Sequence, residues 1–379
     1  MKTRHVILAG SVVVVLSAGL LIGSSLQKSY PENAVTESRY PDLYPDYTGV
    51  SVPSNMAPLN FKLAAVYDKS YVKVTNRDQS RQMECFGSHK VQFDMADWHN
   101  LLQACAGDSL WIEVSARSKQ LWTTWKKFAI YISKDTIDPY MVYRLIEPGY
   151  EKWHIVGIYQ RNLETFHEKP VIENKLTGYN CVNCHSFCNG NPDRMMFHMR
   201  ADNGGTYIVS DGEIEKLKTK TDQTVSNLTY PYWHPSGRYI ASSVNTIRQF
   251  FHAVPGKKME VFDAESDVVV YDVSKKEILS KSSLITKDAY ETFPSFSADG
   301  KWLYFCSAPA LKMPEKYNQL RYSLCRVPFD AANGTIGSQV DTLVHADSIS
   351  VSFPRMSPDG NFMMYTETAY GQFPIWHKD

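Results

Sequence analysis

Neither sign of charge is in excess: Lys plus Arg and Asp plus Glu each number 40, and the formal net charge is zero. A nucleic acid or another highly charged polymer is drawn by a field of opposite sign, so the balance argues against that class of partner. No cysteine occurs before Cys85, which removes the acylation site of a bacterial lipoprotein. Residues 28–56 lack any apolar period and carry Pro31, Pro41, Pro45 and Pro53 among Ser, Asp and Tyr. Such a stretch cannot hold a helix and is expected to be an extended linker. A convincing nucleophile–base constellation is also missing. Gly107-Asp108-Ser109-Leu110 spells a lipase-type signature, but that serine belongs between a strand and a following helix. Here the pattern leaves a predicted helix and enters a predicted strand, so Asp108 and Ser109 are read as turn residues.

What is present begins with an export signal. Lys2, Arg4 and His5 precede an uncharged, apolar run from Val6 to Gln27, long enough to span a bilayer. Residues 1–27 are read as an uncleaved anchor, with the basic end in the cytoplasm and the body on the periplasmic side of the inner membrane. Cleavage near Gly23-Ser24-Ser25 is the alternative, giving a protein free in the periplasm.

That compartment suits the motif at the centre of the chain, Cys181-Val182-Asn183-Cys184-His185. C-x-x-C-H is the pattern that attaches a c-type haem. Two thiols at this spacing form thioethers to the two vinyl groups, and the adjacent imidazole supplies the axial ligand. Cys181, Cys184 and His185 are therefore the candidate cofactor site, with haem c as the cofactor. Zinc held by Cys181, Cys184, Cys188 and a histidine is the alternative, and a purely structural disulfide is another. Downstream, Asp193-Arg194-Met195-Met196-Phe197-His198-Met199-Arg200 offers further ligands. On an extended strand Met196 and His198 share a face, and they are the candidate distal ligands; core filling is the competing role for such methionines.

Seven cysteines less two leaves five, an odd number. Cys306 with Cys325, or Cys85 with Cys105, are candidate disulfides, and Cys188 is the candidate unpaired thiol.

Aromatic residues make up 13% of the chain, with 23 Tyr, as suits strands. From Ala57, short alternating segments such as Tyr71-Val72-Lys73-Val74 and Leu110-Trp111-Ile112-Glu113-Val114 predict an immunoglobulin-like β-sandwich over 57–175. One helix interrupts it, from Met95 to Ala106, with Asp94 as N-cap and Gly107 as its stop. A second helix is predicted from about Glu151 to Thr165, leading into a haem segment at 176–200.

The last third, 201–379, repeats. Pro231, Pro294 and Pro354 each begin a strand–turn–strand unit that ends at Gly237, Gly300 and Gly360, with spacings of 63 and 60 residues. Further strand pairs lie between the units, and four strands per period is the pattern of propeller blades. The expected pair is missing after the third unit. With about three and a half blades against the four to eight of closed propellers, the sequence is expected to be a fragment of a longer chain. The rival expectation is that the N-terminal β-domain seals the open edge.

Taken with Ala57-Pro58-Leu59-Asn60-Phe61, Tyr143-Arg144-Leu145-Ile146-Glu147-Pro148 and Cys181 to His185, these turns give a resemblance. The chain resembles exported TolB-like, WD40-like β-propeller proteins of Bacteroidetes that carry C-x-x-C-H, often described as cytochrome c biosynthesis proteins. The resemblance covers nearly everything after the linker and implies a compartment and a fold more than an activity. The expectation is thus a mainly β protein: membrane anchor, sandwich and incomplete propeller. Its expected role is electron transfer or redox sensing, with a redox partner or another envelope protein. The alternative is a haem-free scaffold that binds envelope proteins or glycan.

Overall fold

The computed structural model describes residues 28–146, 156–217, 219, 221, 224, 226–250, 260–281 and 283–369. The predicted anchor lies outside them, and no helix among the described residues is long and apolar enough to cross a membrane. The chain forms two compact units. One holds the described residues up to Pro139 together with Asn162–His167; the other holds the described residues of Tyr140–Arg161 and those from Glu168 onward.

The strands of the first unit are β1 (Val35–Thr36), β2 (Leu43–Tyr44), β3 (Ser51–Val52), β4 (Phe61–Leu63), β5 (Lys69–Asn76), β6 (Gln82–Gly87), β7 (Lys90–Val91), β8 (Ser109–Ser118), β9 (Leu121–Thr124) and β10 (Phe128–Ile132). A seven-stranded sheet is built around β8, which pairs with β5 along its length and also with β9 and β10. A second, three-stranded sheet runs β2-β4-β7. Alternation decides which residues go inside. Leu110, Ile112, Val114 and Ala116 of β8 are buried with Val72 and Val74 of β5, while Trp111 points outward.

Helix α1 (Met95–Ala104) forms where the sequence predicts it. The Asp94 carboxylate accepts from the N–H groups of Ala96 and Asp97, two donors that the helix itself leaves unpaired. Trp98, Leu101 and Leu102, spaced i, i+3, i+4, face the core. Gly107 turns the chain at φ +85° and β8 starts at Ser109, so the lipase-like tetrapeptide is a turn.

The linker differs from expectation. Residues 28–56 are extended, but they are woven into the sheets: Val35 and Thr36 pair in parallel with Thr123 and Thr124, and Ser51 and Val52 with Tyr131 and Ile132. Leu43 and Tyr44 pair with Leu63 and Lys62. An extended segment without periodicity still carries backbone donors and acceptors, and the exposed sheet edges supply their partners. These parallel neighbours also depart from the purely antiparallel sheets of an immunoglobulin-like sandwich.

The second unit opens with a three-stranded sheet of β11 (Tyr140–Ile146), β12 (Val156–Asn162) and β13 (Glu168–Glu173). The second predicted helix is therefore absent from 156 onward; residues 151–155 of that segment lie outside the described residues. Val156, Gly157 and Ile158 are buried on a strand paired with β13, and pairing with a neighbour outweighs weak helical propensity.

Four antiparallel sheets come next. The first blade is β14 (Val182–Phe187), β15 (Arg194–Met199), β16 (Gly205–Ser210) and β17 (Glu213–Leu217). The second is β18 (Leu228–Trp233), β19 (Tyr239–Phe250), β20 (Glu260–Asp272) and β21 (Glu277–Leu279). The third is β22 (Ala289–Phe296), β23 (Trp302–Pro309), β24 (Ser323–Asp330) and β25 (Thr335–Ile336), with β26 (Asp341–Val344) also on β24. The last is β27 (Ser350–Met356) with β28 (Met363–Thr368). Successive sheets pack face to face. Met196, Ile208 and Leu217 of the first blade meet Trp233, Ile240 and Val269 of the second. Tyr239, Val268 and Val270 of the second meet Phe296, Phe305 and Val327 of the third. Sheets packed on one another in sequential order make this unit propeller-like.

The haem segment is not a separate piece: 182–199 are the first two strands of the first blade. The repeat seen three times in the sequence occurs four times in the structure. Each leading strand has a bulge at the same place, between Asn183 and Ser186, Thr229 and Tyr232, Thr292 and Ser295, Ser352 and Arg355. The first bulged residue has positive φ each time: Cys184 (51°), Tyr230 (49°), Phe293 (54°) and Phe353 (51°).

Candidate cysteine-histidine site on the first blade

Cys184 and His185 occupy the bulge that the other sheets fill with Tyr230-Pro231, Phe293-Pro294 and Phe353-Pro354. The three aromatic rings converge: Tyr230 and Phe293 have centroids 4.7 Å apart, Phe293 and Phe353 4.6 Å. The leading strands therefore face a common axis, and the first blade brings a thiol to it where the others bring a ring. The Cys184 N–H leaves the ladder and donates to Asn183 Oδ1 at 2.8 Å. The same oxygen accepts from Arg144 Nη1 at 2.6 Å, which pins the guanidinium beside the bulge. On the other flank, the Arg200 N–H donates to the Cys181 carbonyl at 3.0 Å.

Burial pushes the Cys184 thiol pKa up, against the Tyr230 backbone and the charges of Arg200 and Arg144; Cys181 is close enough to act on it as well. The thiol is thus protonated at neutral pH. His185 is held below its ordinary pKa by burial and by Arg144, although its ring donates to the Val142 carbonyl. That leaves a neutral imidazole with one nitrogen engaged and the other carrying a lone pair, the state a metal ligand needs.

Met196 and His198 do not join this group. His185 lies with Phe187, on the face where Val182, Met195, Phe197 and Met199 pack with Ile158. Met196 is fully buried on the opposite face, between the first and second blades. His198 alternates with Phe197 and shares that second face, its Nδ1 at 3.4 Å from Thr206 Oγ1 and its pKa lowered by burial to about 4. Period-two alternation puts this pair on one side, as read from the sequence, but the bulge sends His185 to the other.

Cys188 is buried beside Trp233 in the core between those two blades and is not part of the Cys181–Cys184 group. The four-ligand set that zinc requires is therefore not assembled, and no three His, Cys, Asp or Glu side chains among the described residues gather to hold a metal. All seven cysteines are unpaired, so Cys188 is not distinguished from the rest. Cys306 stands opposite Leu324 and Cys325 opposite Phe305, which turns the two thiols to different faces of one sheet. Cys85 instead donates to the Gln92 carbonyl at 3.1 Å.

For a haem, the fit is partial. Two unpaired neighbouring thiols and a neutral, oriented imidazole match what attachment and axial ligation require, and Arg144 and Arg200 offer charge to acidic substituents. The two candidate distal ligands, Met196 and His198, are not brought to the His185 side. The sequence signal missed Arg144, Asn183, Arg200 and Tyr230, which approach Cys184 only through strand pairing and blade packing.

No family of known proteins matches the chain, and no curated protein matches it. Among solved structures it is similar to an oligogalacturonate lyase in complex with manganese, at 12% identity over 59% of this chain and 58% of that one, with TM-score 0.32. A Porphyromonas gingivalis dipeptidyl peptidase 4 is matched at 12% identity over 59% of this chain and 36% of that one, with TM-score 0.34. An oligogalacturonate lyase from Vibrio parahaemolyticus is matched at 10% identity over 88% of each chain, with TM-score 0.33. The chain spans 58% and 36% of the length of the first two. At such scores the fold rests on the strand order described above.

Proposed function

We propose that this chain is an exported, membrane-tethered c-type haem protein that serves electron transfer or redox sensing in the cell envelope. Cys181 and Cys184 are the attachment residues and His185 the axial ligand. The observation that carries the reading is the C-x-x-C-H itself, with both thiols unpaired and the imidazole neutral at an axis-facing bulge. When bound, the haem supplies one-electron chemistry. The protein's part is to hold the His185 ring on the Val142 carbonyl, to fix Cys184 through Asn183, and to keep Met196 and His198 as packing groups of the next interface. The run Val6–Gln27 tethers the body to the inner membrane, and a redox protein of the envelope is the partner.

The test is to produce the full chain in a periplasm equipped for cytochrome c maturation. A Soret band and a haem stain that survives denaturation are expected, and Cys181→Ala with Cys184→Ala removes both. His185→Ala keeps the covalent pigment but shifts its Soret band. A colourless product with seven alkylatable thiols overturns the proposal. That result favours the runner-up, a propeller scaffold for envelope proteins or glycan with structural cysteines.

A further inference from the structure

The first unit holds a cavity of about 280 Å³. Leu63 and Trp125 are buried in its inner wall, and Tyr67 meets Trp125 edge-on with ring centroids 5.7 Å apart. Arg39, Asp42 and Ala65 are exposed at its mouth. The extended N-terminal segment makes this place. The Arg39 carbonyl accepts from the Lys126 N–H at 3.1 Å and the Asp42 carbonyl from the Ala64 N–H at 2.9 Å. Residues 39–42 thus span from the end of β4 to the connection between β9 and β10, and both ends line the cavity.

The Trp125 indole N–H is buried and meets no acceptor among the described residues, a state that buried donors rarely keep. A water's share of liquid volume is about 30 Å³, so the cavity exceeds what one bridging water fills. It lies just under the range of about 300–1,000 Å³ usual for small-molecule sites. Charge decides what kind of molecule suits it. Arg39 Nε is 3.0 Å from Glu37 and its Nη1 2.9 Å from Asp42 Oδ2, while Lys126 Nζ lies 4.8 Å over the Tyr40 ring. Two positive and two negative groups balance, so nothing there draws an ion. The guanidinium has further N–H donors and the carboxylate a second oxygen, so the mouth can both donate and accept. An apolar, aromatic inner wall behind such a mouth matches a molecule with a C–H face and a rim of hydroxyls.

We propose that this cavity binds a neutral sugar residue, its C–H face against Tyr67 and Trp125 and its hydroxyls on Arg39, Asp42 and the Trp125 indole N–H. Two sources have that chemistry: a free monosaccharide, or the end residue of a glycan chain. The site lies wholly within the first unit and does not depend on the haem reading above.

The full chain, isotope-labelled at its tryptophans, is titrated with D-glucose, D-galactose, D-mannose and N-acetylglucosamine. The Trp125 indole resonance, assigned by its loss in Trp125→Phe, is followed by NMR, and saturation transfer to the sugar protons gives the affinity in every variant. A saturable shift of that resonance with at least one sugar is expected. Affinity should fall at least tenfold in Trp125→Phe, which keeps a ring but loses the donor, and in Ala65→Leu, which fills the mouth. Arg77→Gln, on an exposed turn, should leave it unchanged. Melting temperatures close to the parent's show that the variants are folded; if Trp125→Phe fails that check, the exposed Ala65→Leu decides. The methyl glycoside of the bound sugar separates the sources: equal affinity identifies a chain end, and lost binding a free monosaccharide. No saturable shift with any of these sugars, or an affinity that a folded Trp125→Phe or Ala65→Leu variant leaves intact, overturns the proposal.

Discussion

The bulge of β14 and the bulge of β22 share their backbone and differ in chemistry. In the third blade, Phe293 at φ 54° is 1% exposed and packs against two other rings, and the proline after it makes no demand for a hydrogen bond. In the first, Cys184 at φ 51° is half-buried among arginines, and His185 reaches a carbonyl of another sheet. The strand pairing fixes the bulge in both. The axis position is therefore structural when filled by a ring and available for chemistry when filled by a thiol.

The comparison breaks most sharply on truncation. Phe293→Ala is expected to cost about 3–5 kcal/mol, as removal of a fully buried aromatic does. Cys184→Ala is expected to cost about 1 kcal/mol or less, because little buried apolar surface is lost. Denaturant unfolding measures both, and equal losses would mean that the thiol is core filler like the ring.

The hairpin turns give a second contrast. Gly300 has φ +73°, and an added Cβ would run into His234 Nε2; Gly212, at φ +84°, has open space around it. His234 is held rigidly there. Its Nδ1 accepts from the Ser236 N–H, so Nε2 carries the proton and donates to the Gly300 carbonyl at 3.0 Å. Gly300→Ala is expected to cost about 2–3 kcal/mol by strain and overpacking, and Gly212→Ala about 1 kcal/mol from backbone conformation alone. Thermal unfolding of the pair tests the order.

A third difference is electrostatic. The second and third blades bury acids: burial raises Glu291 to about 8, Asp263 to about 7 and Asp267 to about 6. Oε1 of Glu291 accepts from Thr286 at 3.2 Å, while Oε2 has no hydrogen-bond partner among the described residues. A raised carboxyl binds its proton more tightly when folded, so its stabilisation is complete below the unfolded pKa and is lost as pH rises through the folded one. His185, His198 and His234 are lowered and act in the opposite sense, but only below about pH 6.5, where the unfolded chain takes up protons. Between pH 7 and 8.5 the histidines no longer contribute. The buried thiols, raised by burial, act there in the same sense as the carboxyls as unfolded thiols begin to ionise. Stability is expected to fall by at least about 1 kcal/mol. Glu291→Gln should flatten that fall; a slope unchanged in the variant would show that Glu291 is not its source.

The smallest effect is the most direct test of equivalence. Proline stands at the His185 position in the other three sheets, so His185→Pro should change stability by no more than about 1 kcal/mol. A loss well above that, read from denaturant midpoints, would show that the first bulge is not built like the others.

Much of this was legible in the chain. The period-two alternation marked β5, β8 and β10, the cap at Asp94 located the helix, and three Pro-to-Gly units announced the blades. The fourth unit was hidden for a physical reason. Its bulge carries Cys184-His185 instead of aromatic-proline, its turn is longer, and Cys184 lies 46 residues before Tyr230 instead of about 60. The predicted helix before it became β12, because pairing with β13 outweighed a weak local preference.

The sequence by itself determined the thiol–thiol–imidazole spacing, the alternation that fills each core, and the turn glycines, since these depend on neighbours a few residues away. Tertiary structure alone decided which face of the blade His185 takes, because one bulged residue reverses every side chain beyond it. It also decided that Met196 and His198 belong to the packing of the next blade, and that Arg144 and Arg200 stand beside Cys184. Those contacts join residues from separate strands, and only the pairing of β14 with β15 and the packing of one sheet on the next bring them together.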